Sequence, residues 1–230
     1  MTSPPSVQAG RTSANWFASE ASRRLSAFEL RQIIPILSTH IGVRGLFLRP
    51  DLEAPNELSG NMLQSVVAVH RAAPGQFAGQ ARFATTELPF AADTFSLVCA
   101  LHVLEHGEDA ESLVEEVARC LQPEGLLVAL VLSRSSLWGL RWLGRGLRVP
   151  TTGRMRALIE ASGLSIEIHR QIGTMWRVPD ADDPSASMPR LPLLRALSCS
   201  QLWVARKRRA TLTPQRQTAS VRVPASMGLR

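Results

Sequence analysis

Two apolar runs set the limits on what this chain can become. Phe95 to Leu101 (FSLVCAL) and Leu126 to Leu132 (LLVALVL) are each long enough for one strand and too short for a helix, and neither alternates. Both therefore read as strands buried on their two faces. Leu88, Pro89 and Phe90 form the loop that leads into the first. Between the runs, Leu113, Val114, Val117, Ala118 and Leu121 recur at helical spacing, with Asp109 expected as N-cap, Glu111 in the first turn, and Pro123 and Gly125 as the stop. Strand, helix and strand in so short a span close as a right-handed parallel crossover. The expected fold class is α/β, with an open, doubly wound, mostly parallel sheet and flanking helices.

A chain of 230 residues suits one domain with extensions. Hydrophobic residues make up 45% and mean hydropathy is +0.01, the balance of a soluble globular protein. No run approaches the ~20 apolar residues of a spanning helix, and Met1 to Phe17 lacks the apolar centre of a signal peptide, so no membrane partner and a cytoplasmic location are expected. Cys99, Cys120 and Cys199 are widely spaced, as small buried hydrophobes rather than as a disulfide framework or a metal site. The net charge of +7 and a pI near 11.0 point to nucleic acid until the charge is located. Nine of the 26 Lys and Arg lie from Pro184 onward with no Asp or Glu among them, which leaves 17 basic against 19 acidic residues in the remainder. The core is thus nearly neutral.

Three segments follow: a disordered start over 1–13, a main domain over 14–207, and a basic disordered tail over 208–230. N-terminal helices occupy 14–40, one opening at Trp16 and Phe17 and ending near Leu25, the next running from Phe28 to Leu37 with an interruption at Pro35. They are expected to cap the sheet by packing. Gly45 to Leu48 is the first strand and Val66 to Val69 the second. A third near Ala81 to Phe83 follows too soon for a full crossover helix. Residues 133–150 form an insertion with Trp138, Trp142, Arg134, Arg141, Arg145 and Arg148. Arginine there suits a carboxylate or phosphate and tryptophan a ring, while a surface helix with solvated arginines accounts for the same residues. Thr151 or Thr152 caps a helix that stops at Gly163, and Ile166 to His169 and Gln201 to Ala205 are the last strands, joined through an irregular loop, Asp180 to Pro192.

The motifs within this frame come in a specific order. L-P-F, four residues, F-S-L-V, then H-V-L-E-H, then E-x-x-R-x-L-x-P-x-G resembles the type 11 group of class I S-adenosylmethionine-dependent methyltransferases, over roughly Leu46 to Lys207. Ser136 to Arg141 (SLWGLR) and Ser200 to Arg208 (SQLWVARKR) are similar to a small bacterial branch, the YafS-like proteins. The resemblance implies a Rossmann-like methyltransferase fold, S-adenosylmethionine as cofactor and a small-molecule acceptor of unstated identity.

It also implies where the cofactor lies, and there the chain departs from the pattern. The loop after the first strand, glycine-rich in the family, reads LFLRPDLEAP, with Arg49, Pro50 and Asp51 at the glycine positions. His70 stands where an acidic residue takes the ribose hydroxyls, and an imidazole accepts one such bond where a carboxylate accepts two. Ala84 replaces the aspartate that reads adenine, leaving Thr85 and Thr86 to offer backbone N–H and hydroxyl groups. Ser96 replaces the aspartate that usually follows Phe95. Leu101, His102 and His106 fall at the carboxyl end of the fourth strand, where sulfonium and acceptor meet. His102 is the candidate general base, with an ordinary pKa near 6.5, and His106 is expected to order the loop. In-line positioning of the acceptor can supply most of the catalysis without a base.

Other readings compete. H-V-L-E-H matches the letters of an inverted zinc-protease signature, but it starts directly off a buried strand and no third ligand is evident, so no metal is expected. Because fold does not imply function, a binding or scaffold protein that kept the fold and lost catalysis is the main alternative to a methyltransferase with a degenerate loop. An RNA or DNA methyltransferase anchored by the basic tail is a third.

Overall fold

The computed structural model describes residues 16–107, 109–136, 146–173 and 198–208. The expected disordered start, the centre of the Arg/Trp insertion, the Asp180 to Pro192 loop and nearly all of the basic tail lie outside the described residues. Helix α1 spans Glu20–Leu37, α2 Ala110–Cys120 and α3 Thr152–Ala161. The strands are β1 (Ile41–Arg49), β2 (Met62–Ala73), β3 (Gln76–Ala78), β4 (Arg82–Ala84), β5 (Phe95–Leu101), β6 (Leu121–Leu132), β7 (Leu164–Ile172) and β8 (Ser200–Lys207). They form one sheet in the order β4-β3-β2-β1-β5-β6-β8-β7. The middle four, β2, β1, β5 and β6, are parallel, and β8 lies antiparallel between β6 and β7.

The crossover read from the sequence is present. Every residue of β5 is buried, and so is Leu126 to Leu132 of β6, because helices cover both sides of these strands. On one face, Leu113, Val114 and Val117 of α2 and Met155 and Ile159 of α3 pack on Val98, Ala100, Leu127 and Ala129. On the other, Ile33 and Leu37 of α1 pack on Phe47, Leu97, Cys99 and Val128. Asp109 is the N-cap of α2 by position, but its carboxylate makes no cap bond. Thr151 caps α3 through a 3.2 Å bond from the Arg154 amide.

Two expectations change. The helix expected to stop near Leu25 and the one expected from Phe28 are a single helix, Glu20–Leu37, set off from a helical segment at Trp16 and Phe17. It runs on past Pro35, which has no N–H for the Arg31 carbonyl and whose own carbonyl accepts from the Ser38 hydroxyl at 3.3 Å. The strand expected near Ala81 to Phe83 is β4, but an unexpected strand, β3, stands between it and β2. β3 runs antiparallel to β2, and β4 antiparallel to β3, so β4 keeps the direction of a third parallel strand but sits one place further out. Residues 50–61 between β1 and β2 likewise contain no helix, and Ala54 and Leu58 bury themselves in its place. Among the described residues, no helix is long and apolar enough to cross a membrane.

Candidate cofactor and acceptor site

The crevice of an open α/β sheet lies outside the carboxyl ends of its strands, at the point where winding reverses. Here that point is β1, flanked by β2 and β5. Parallel pairing of Arg49 with His70 brings the ends of β1 and β2 level, so Arg49, Asp51 and His70 gather at one mouth. Arg49 and Asp51 are both buried and both hold the same peptide unit: Arg49 Nη1 donates to the Ala54 carbonyl at 2.8 Å, and Asp51 Oδ1 accepts from the Ala54 amide at 2.8 Å. Burial lowers the Arg49 pKa and raises that of Asp51. Arg49 Nε and Asp51 Oδ2 remain buried with no protein partner. His70 is held below its ordinary pKa by burial and by the Arg49 charge, and presents a neutral ring.

The adenine side is arranged differently from expectation. Thr85 is buried, its amide donates to the Gly75 carbonyl at 2.9 Å, and its hydroxyl donates to Asp109 Oδ2 at 3.1 Å. The same Asp109 oxygen accepts from Arg71 Nη2 at 3.2 Å, and Arg71 Nη1 donates to the Val103 carbonyl. Both Thr85 donors expected to serve an adenine ring are thus engaged within the protein. Thr86, by contrast, is exposed.

At the end of β5 the chain turns sharply. His102 has φ +48°, a left-handed conformation that histidine tolerates better than bulky residues, and Leu104–His106 follow as a single 3₁₀ turn. His102 is fully buried between two fully buried carboxylates, with Nε2 2.6 Å from Glu29 Oε2 and Nδ1 2.8 Å from Glu105 Oε1. Burial alone would push its pKa down. The charges of Glu29 and then Glu105, together with their hydrogen bonds, outweigh burial and hold it at about 10. Both ring nitrogens are therefore engaged by carboxylates and the side chain is fully buried, a geometry that favours the charged ring and offers no free nitrogen for the general base expected at His102. Glu105 Oε1 also accepts from the Leu132 amide at 2.7 Å, tying β6 to the same hub. Phe17 stacks on His102 with centroids 5.6 Å apart and lies 5.4 Å from His106. Burial, reinforced by the Arg71 charge, depresses His106 to about 4, so it is neutral. The Leu101 side chain lies in the core under α1, which leaves only its backbone for the crevice.

Sequence reasoning missed Glu29, Arg71, Glu105 and Asp109 as members of this site. Glu29 had one signal, a charged residue on the stripe Ser22, Leu25, Glu29, Ile33, Leu37 that α1 buries. Arg71 had none. Among the described residues, no three His, Cys, Asp or Glu side chains stand together so as to hold a metal ion.

The doubly wound, mostly parallel sheet with flanking helices is the class I methyltransferase fold. Residues 56–129, from the loop after β1 into β6, match the family model described as a methyltransferase domain. The cofactor that the domain implies is S-adenosylmethionine. No curated protein matches the sequence. Solved structures with the same fold include a candidate methyltransferase from Bacillus halodurans C-125, 16% identical, covering 78% of this chain and 98% of its own with a TM-score of 0.52. An S-adenosylmethionine-dependent methyltransferase from Thermotoga maritima is 14% identical, with coverages of 84% and 94% and a TM-score of 0.53. The [4+2]-cyclase SpnF is 13% identical, with coverages of 77% and 80% and a TM-score of 0.53. These likenesses concern the fold.

At the mouth of β1 the residues offer chemistry suited to a polar, charged ligand end. The orphaned Arg49 Nε and Asp51 Oδ2 are a donor and an acceptor of opposite charge that the protein's own groups leave unfilled.

Proposed function

We propose that the protein is an S-adenosylmethionine-dependent methyltransferase acting on a small molecule, with a binding loop built from side chains in place of glycines. The observation that carries this reading is the convergence of Arg49, Asp51 and His70 at the switch point of the sheet, level with one another through the Arg49–His70 pairing. S-adenosylmethionine supplies an electrophilic methyl group on a sulfonium, so the protein's work is to orient an acceptor in line and keep water away. In this reading Arg49 and Asp51 hold the cofactor's amino-acid end, and neutral His70 accepts from a ribose hydroxyl. Thr86 and the Leu101 backbone border the adenine and the reacting carbons. His106, neutral and packed on Phe17, shapes the wall. His102 is a positioning residue: through Glu29 it fixes α1 over the crevice, and through Glu105 it fixes the end of β6.

A second reading, a methyltransferase-fold binding protein without catalysis, draws on the engagement of both Thr85 donors by Gly75 and Asp109. The nucleic-acid reading is weakened where the basic end is described, because Arg206 pairs with Glu167, Lys207 with Asp93 and Arg208 with Glu167 and Glu124. Calorimetric titration with S-adenosylmethionine and S-adenosylhomocysteine separates the first two readings. Micromolar binding supports an enzyme, and absence of both heat and thermal shift at millimolar ligand overturns it in favour of the binding protein.

A further inference from the structure

The row Glu29, His102 and Glu105 at the carboxyl end of β5 has a net charge that its hydrogen bonds alone determine. All three side chains are fully buried. Glu105 Oε1 accepts from the Leu132 amide at 2.7 Å and faces His102 Nδ1 at 2.8 Å, so this oxygen is the acceptor on both sides and Nδ1 bears a proton. The 2.6 Å contact between His102 Nε2 and Glu29 Oε2 holds one more proton, on either atom. Any further proton would have to sit on Glu29 Oε1 or Glu105 Oε2, and both are buried with nothing to donate to. The His102–Glu29 pair is therefore neutral in sum, and Glu105 leaves the row one negative charge wherever the shared proton lies. Among the described residues, the ion-pair partner of each carboxylate is His102 alone. Arg71 is within range of Glu105, but Asp109 matches it at 3.2 Å.

A charge with no water around it acts over several ångströms. The row stands where β5 and β6 end, with the His102 amide donating to the Leu130 carbonyl at 2.9 Å, and the crevice of the open sheet lies beyond those ends. We infer that the row is an electrostatic seat for a positive centre at the reacting end of the ligand, acting through space rather than by contact. Two sources supply such a centre, the sulfonium of the cofactor and an ammonium on the acceptor. The seat rests on the cofactor reading and deepens it, because a sulfonium is the charge that methyl transfer removes. Attack by the acceptor's lone pair on the methyl carbon leaves the C–S bonding pair on sulfur, now a neutral thioether. The attraction to the row goes with the charge, so the row favours the loaded cofactor over the spent one.

Titration calorimetry on the full chain tests this with S-adenosylmethionine, S-adenosylhomocysteine, and sinefungin, in which a carbon bearing an ammonium replaces the methylsulfonium. The wild type is expected to bind S-adenosylmethionine about tenfold more tightly than S-adenosylhomocysteine. Glu105→Gln keeps an oxygen toward the Leu132 amide and Nδ1 and makes the row neutral. It is expected to erase that preference while S-adenosylhomocysteine binding, the control for folding, stays nearly unchanged. Should the variant not fold, the wild-type ratio decides alone. A preference for S-adenosylmethionine assigns the charge to the sulfonium. Equal binding of it and S-adenosylhomocysteine, with sinefungin bound more tightly, assigns the charge to an ammonium. If the wild type binds S-adenosylhomocysteine as tightly as both others, or if Glu105→Gln keeps the preference, the seat is overturned and the cofactor reading stands. Binding of none of the three overturns both.

Discussion

Replacing His102 by Asn removes the cation from the centre of a buried row of three charges. Asparagine is chosen because it tolerates a positive φ, so the backbone at φ +48° is kept. The row runs Glu29, His102, Glu105 with contacts of 2.6 and 2.8 Å, all three side chains fully buried. Each charge-assisted bond is worth about 1.5–3 kcal/mol, and leaving buried charge without its partner costs about 3–5 kcal/mol, the same loss counted two ways. The expected cost at pH 7 is therefore on the order of 3–5 kcal/mol, read by urea denaturation. The pH dependence makes the test specific. A histidine raised from 6.5 to about 10 adds stability that is complete below pH 6.5 and lost as pH rises toward 10. Between pH 7 and pH 9 the wild type should lose on the order of 2–3 kcal/mol, at a slope approaching ~1.4 kcal/mol per unit, and His102→Asn should lack that slope. A wild-type stability that is flat from pH 7 to pH 9, or a variant that costs less than about 1 kcal/mol, refutes the buried cation and returns His102 to the list of candidate bases.

Asp109→Ala leaves Arg71 Nη2 and the Thr85 hydroxyl without their common acceptor, and should cost about 1–3 kcal/mol by denaturant melting, with a compensating gain in adenine-nucleoside binding if Thr85 is thereby released. Gly107→Ala is disfavoured twice over, by φ +97° and by a Cβ that would meet Arg148 Cδ at 3.0 Å, so a loss of about 1–2 kcal/mol is expected in the same assay.

The parts of the fold legible in the sequence are those that short-range periodicity governs. β5, α2 and β6 were readable because an apolar run between turn signals, and an amphipathic repeat between two such runs, have few ways to bury themselves. The Thr151 cap was legible for the same local reason. The hairpin β3–β4 was not, because eleven or so residues between β2 and the expected third strand exclude a crossover helix without saying what replaces it. Pro35 misled because its lost amide bond is a local penalty, whereas the burial of Ile33 and Leu37 against the sheet, which holds the helix together past it, is a tertiary gain.

The candidate site divides along the same line. Its place, at the carboxyl ends of β1, β2 and β5, and several of its residues, Arg49, Asp51, His70 and His106, follow from the order of motifs along the chain, because parallel strands bring their ends together wherever the turns between them lie. What each group does there was decided by tertiary neighbours. The sequence assigns His102 a pKa near neutrality and hence the part of a base. Glu29, 73 residues away on the stripe that α1 buries, makes it a fixed cation. Thr85 reads as a free donor until Asp109, 24 residues on, takes its hydroxyl together with Arg71. Titration and hydrogen bonding depend on the few ångströms around an atom, which local sequence does not encode, whereas strand burial depends on a pattern that it does.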